Sequence, residues 1–241
     1  VEPNRFCRPL VTTPNSQHRI SSLRLILIPA AISLAITLLR LAGEMRHWSD
    51  AWFNTDTGGV VPRGASWVIG ITWLALPFGI YFAFKLVSAG EGPPKIGKAL
   101  ATAGGGLLML VGLQFLFLFL RSVPFPQVLI FVWLWMAVGA VIQWFGWPAL
   151  FRALLAYGFA ARIPVAVVML LAMMGNWGTH YDYVGMPPEF QMHLVSKYFW
   201  LAFFPQLIFW VGFTIIAGSI AGTLTAAIIL RRHRTAQQAS A

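Results

Sequence analysis

The sequence predicts an all-α, polytopic integral membrane protein, a bundle of six transmembrane helices. Three observations carry that prediction. Hydrophobic residues make up 58% of the chain and charged residues 10%, with a mean hydropathy of +0.72. An ordinary soluble domain is about half apolar and a quarter charged. The apolar residues gather into six long stretches separated by short polar breaks, and a crossing helix needs about 20 such residues. The stretches are apolar on every side, unlike barrel strands of about ten residues with alternating polarity. Only a helix then satisfies its own backbone in lipid.

The expected spans are, in order, 25–43, 67–84, 99–120, 128–147, 154–174 and 199–230. Arg40 lies near the end of the first and can reach back to the headgroups. Gly58-Gly59-Val60-Val61-Pro62 precedes the second, and Gly92-Pro93-Pro94 the third. Pro124 and Pro126 part the third from the fourth, and Trp147-Pro148 closes the fourth. Pro187-Pro188 opens the approach to the sixth, which at this length must tilt, kink or project from the bilayer. Pro77-Phe78-Gly79 and Pro205-Gln206 are expected kink points. Residues 1–21 and 231–241 read as tails flanking a transmembrane domain of residues 22–230, with the first span a retained signal-anchor.

Lys and Arg in short loops set orientation. With the N-terminus in the cytoplasm, that side receives Arg5, Arg8, Arg19, Arg24, Lys85, Lys95, Lys98, Arg152, Arg231, Arg232 and Arg234, against the acids Glu2 and Glu91. The outer side receives Arg40, Arg46, Arg63, Arg121 and Lys197, balanced by Glu44, Asp50, Asp56, Asp182 and Glu189. An even number of crossings returns the basic C-terminal tail to the cytoplasm, which favours six spans over five. The net charge of +10 therefore reads as topology and contact with anionic cytoplasmic lipid, with no nucleic-acid partner. Compact loops suggest a bacterial plasma membrane. The single Cys7 excludes an intrachain disulfide and a Cys-rich metal site.

Arg162 is the sharpest candidate for function, standing midway along the fifth span in Tyr157-Gly158-Phe159-Ala160-Ala161-Arg162-Ile163-Pro164. An arginine at mid-bilayer costs about 2.5–3.5 kcal/mol on insertion scales, so it faces protein or water, or snorkels to the headgroups. Gln114, Gln143 and Gln206 are the polar residues of similar depth. The functional expectation is an anion- or lipid-binding site at Arg162, Gln114, Gln143 and Gln206. The alternative is a long side chain that only reaches the interface.

The outer loops offer a second constellation. Glu44, His47 and Asp50 recur every third residue, His180 and Asp182 lie between the fifth and sixth spans, and Glu189 and His193 are four apart. His47, Asp50, His180, Asp182, Glu189 and His193 are the right types for a zinc-like site, but the spacing is common and favours a polar cap over the helix ends. No cofactor is implied, since no histidine lies inside a span to ligate haem. Trp and Tyr crowd the span ends, as headgroup-level anchors do; Trp133 and Trp135 lie deeper and are expected to pack against lipid. Gly104-Gly105-Gly106 and the Gly218–Gly222 pair suggest close helix packing, within the chain or against a second copy or a membrane-complex partner.

Three classes of function stay open. A transporter-like or lipid- and anion-interacting protein would use Arg162. A non-catalytic subunit or assembly factor would use the glycine faces. A membrane enzyme would need the outer His and carboxylate residues to converge, and no nucleophile–base pair or phosphate loop supports it. The unpaired arginine favours the first.

Overall fold

A computed structural model describes residues 22–55, 65–182 and 192–239. The described chain is helical, without strands. Helix α1 spans Ser22–Met45, α2 Ala75–Ser88, α3 Ile96–Phe119, α4 Gln127–Gly146 and α5 Pro148–Gly175. After a 3-10 turn, His180–Asp182, the last run begins as α6, Leu194–Tyr198, and passes through two π-helical segments, Phe199–Phe203 and Pro205–Trp210. It continues as α7, Val211–Ala239. Five stretches are long and apolar enough to cross a membrane, the run from Leu194 counting as one. The sixth apolar helix, α2, has 14 residues, about 21 Å of rise.

Helix α7 is the hub, packing on α2, α3, α4 and α5, while α1 lies against α5. Contacts fix the directions. Gly79 meets Gly218 and Ala83 meets Gly222, so α2 and α7 run the same way. Leu154 touches Gly218 and Leu150 touches Gly222, so α5 runs against α7. Gly106 faces Gln143 and Gly112 faces Trp135, so α3 and α4 are antiparallel. Ser33 bonds Tyr157 and Glu44 bonds His180, so α1 runs with α5. The short α2 therefore takes its place in a bundle of alternating helices.

The second span differs from expectation. Residues 65–74 form successive turns, and the helix begins at Ala75. Pro77 falls in the first turn of α2, where its missing N–H leaves no bond unmade, so it starts this helix and does not kink it. The helix also runs past Phe84 to Ser88, with the Lys85 ammonium 5.9 Å from the centre of the Tyr81 ring. Pro164 sits inside an unbroken α5 that begins at Pro148, six residues before the expected start. Trp133 is buried and stacks on Trp200 at 5.3 Å between ring centres, and Trp135 Nε1 donates to Met109 O at 2.8 Å; both are tied to protein.

Pro205 marks the irregular part of the last run. A proline cannot donate to the carbonyl four residues back and its ring crowds that carbonyl; wider π-helical turns relieve both, and such turns are frequent at functional sites. Gly218 and Gly222 are buried against α2 and α5 of the same chain. That face is filled from within.

Candidate functional site

Arg162 is 5% exposed on α5 and points into the bundle. Its Nη1 donates to Gln206 Oε1 at 3.3 Å and its Nη2 to Thr72 Oγ1 at 3.2 Å. The guanidinium carbon lies 5.0 Å from the centre of the Trp210 ring, within cation–π range. Gln206 and Trp210 come from the second π-helical segment, four residues apart, and Thr72 from the turns before α2. Gln206 is oriented further by Nε2, 3.4 Å from Met169 Sδ.

Chemically the site is an under-occupied cation. A guanidinium has five N–H donors, and the described residues use two, at distances longer than the 2.7–2.9 Å of a charge-assisted bond. Among the described residues no carboxylate reaches it. Helix α5 and two irregular segments of chain bury this charge, and among the described residues its partners are neutral. Tyr157 lies one and a half turns earlier on the same helix, its hydroxyl 2.8 Å from Ser33 Oγ.

The other expected members are elsewhere. Gln143 is buried, but its Nε2 donates to Thr102 O at 3.0 Å and Gly139 O at 3.1 Å, tying α4 to α3. Gln114 is exposed on α3. Of the four residues expected around an anion, Arg162 and Gln206 meet. Thr72 and Trp210 complete the set.

A second polar cluster closes the end of the bundle where α1 and α5 finish. Glu44 is fully buried, accepting from Arg40 Nε at 2.8 Å and from His180 N–H at 3.0 Å, with His180 Nδ1 2.7 Å from its carboxylate. Burial pushes the His180 imidazole below its ordinary value near 6.5, against the opposing pull of Glu44. Asp182 Oδ2 accepts from Gly178 N–H at 2.9 Å, and Lys197 Nζ donates to Asp182 O at 2.7 Å. Tyr181 donates to Thr37 O at 3.2 Å. Asp182 Oδ1 and Thr179 Oγ1 are buried without a hydrogen-bond partner among the described residues.

The histidines do not assemble. His180 and Asp182 lie in this cap, whereas His47, Asp50 and His193 are exposed, and Glu189 lies outside the described residues. Among the described residues no three His, Cys, Asp or Glu side chains are placed to hold a metal ion. Arg40, expected to reach for the headgroups, instead pairs with Glu44. The signal for this cap was present at Ser33, Thr37, Arg40 and Glu44, spaced four, three and four along an otherwise apolar helix, which puts them on one face.

No known protein family, curated protein or solved structure matches the chain.

Proposed function

We propose that this membrane protein binds an oxyanion, carried by a small solute or by a lipid headgroup, at Arg162, and that it works as a transporter-like protein. The observation that carries the reading is a buried guanidinium with donors that the described residues leave unused, held by Thr72 from non-helical chain and by Gln206 and Trp210 from a π-helical segment. Non-helical backbone at membrane depth is tolerated where it is buried in protein or lines a water-filled cavity. Broken helices bracketing a mid-membrane charge are a recurrent design for solute sites. Arg is the residue suited to a planar, forked grip on carboxylate, phosphate or sulfate. The positive-inside pattern favours the Glu44–His180 end outside and both tails in the cytoplasm.

The test is equilibrium binding to purified protein in phosphatidylcholine nanodiscs, using sulfate in one arm and phosphatidylglycerol in the other. Saturable binding in one arm identifies the source of the anion. Arg162→Gln is expected to weaken it at least about tenfold, or 1.4 kcal/mol, and Arg162→Lys to retain part of it. Equal binding by wild type and Arg162→Gln would reject the reading.

A further inference from the structure

Arg40, Glu44 and His180 carry one positive and one negative charge when the imidazole is neutral, so the trio is uncharged. The trio touches the same segment that serves Arg162. The Arg40 guanidinium lies beside Gly70, with Nη1 3.7 Å from where a Cβ on that residue would stand. Two residues on, Thr72 accepts from Arg162. The two arginines thus border one stretch of turns, Arg40 nearer the end of the bundle and Arg162 deeper.

We propose that Arg40 is an entry subsite for the anion that Arg162 receives, masked by Glu44 and unmasked when His180 takes a proton. This rests on the reading of Arg162 as an anion site and deepens it, making anion capture proton-linked. His180 is the group placed to take that proton. Its side chain is 22% exposed while that of Glu44 is wholly buried, so the ring connects solvent to the carboxylate. Nδ1 is committed to Glu44, and the proton adds at Nε2. No bond is broken; the trio changes from zero to one net positive charge.

Among the described residues the charged and titratable groups around the imidazole are few. Helix α1 supplies Glu44 and Arg40, and the turn itself supplies Asp182 and Tyr181. Helix α6 supplies Lys197, held on the Asp182 carbonyl, and Arg162 of α5 acts on the far side of Tyr181. Asp182 and Lys197 offset one another in charge. The added proton is therefore felt by the segment as one unit of positive charge, partly screened by the solvent that reaches the ring.

The experiment repeats the nanodisc titrations between about pH 7.5 and about pH 5, the range in which an imidazole changes charge; sulfate and phosphatidylglycerol keep their charge across it. Wild type is expected to bind about tenfold more tightly at the lower pH, the effect of one added charge at partly screened range. His180→Gln is expected to bind weakly at both. Glu44→Gln, which leaves Arg40 unmasked, is expected to bind tightly at both. His180→Arg supplies the same charge with Glu44 in place, and is expected to do likewise if Glu44→Gln does not fold. A flat wild-type profile, or one that persists in His180→Gln, would overturn the proton link and leave Arg162 standing. Absence of binding by every variant at both pH values would remove the Arg162 site itself, and the entry subsite with it.

Discussion

Arg162 separates two physical roles that a buried charge can have. If it were only a tie between α5, the turns before α2 and the π-helical segment, its removal would loosen three elements at once. If it waits for an anion, it is an uncompensated charge that the fold tolerates, and replacing it with an apolar chain of similar length relieves desolvation. Arg162→Met is therefore expected to leave the melting temperature in detergent within a few degrees of wild type, or raise it, while abolishing anion binding. A fall of more than about 8 °C would assign it the structural role. His180 makes a residue-scale prediction about pH. Its unfolded value is near 6.5 and burial lowers the folded one. In the window between them the unfolded chain holds more protons, so the His180 contribution is full above about pH 6.5 and declines as pH falls through that window. Thermal melts from about pH 8 to about pH 5 should show that decline in wild type and flatten in His180→Gln.

Among the elements, the glycines show what the sequence could and could not tell. The motif at Gly218 and Gly222 was legible as a close-packing face; which helix filled it was not, because any small-residue face serves a neighbour within or outside the chain. The Gly104–Gly106 run looked like one feature and is not. A Cβ on Gly104 or Gly105 meets open space, whereas one on Gly106 crowds Gln143 and Ile216. Gly104→Ala is expected to be neutral or to stabilise by up to about 1 kcal/mol through helix propensity. Gly79→Ala, whose Cβ strikes the Gly218 backbone, is expected to cost about 1–3 kcal/mol. Unfolding of the two variants in mixed micelles checks the contrast. The second span was mislocated for a related reason. Hydropathy reports burial in lipid or protein and is blind to backbone geometry, so Trp67 to Leu74 scored as helix, although the chain turns there and places Thr72 against Arg162. Pro205 was expected to kink the helix, but a proline does not say whether the helix will bend or widen, and here it widens into π-helical turns.

Across the whole molecule, composition alone was enough for a multi-helix membrane bundle, because a chain 58% hydrophobic and 10% charged departs far from the balance of a soluble domain. The alternating directions of the six helices agree with an even number of crossings. Which face is cytoplasmic rests on the basic loops, and membrane-impermeant maleimide tests it. Cys7, and a cysteine placed at Ala241 in a Cys7→Ser background, are both expected to resist labelling in sealed right-side-out vesicles and to react once these are opened. Reaction of one tail alone would break the topology. The candidate site was half legible: Arg162 stood out because charge in an apolar run is rare, while Thr72 and Trp210 are ordinary residues until the fold brings them to it. The most direct measurement is the guanidino 15N resonance of Arg162, assigned by its loss in Arg162→Lys and followed as sulfate or phosphatidylglycerol is added to protein in neutral nanodiscs. A saturable shift of that resonance is predicted for one of the two. A signal unmoved by either, in folded protein, would contradict the account.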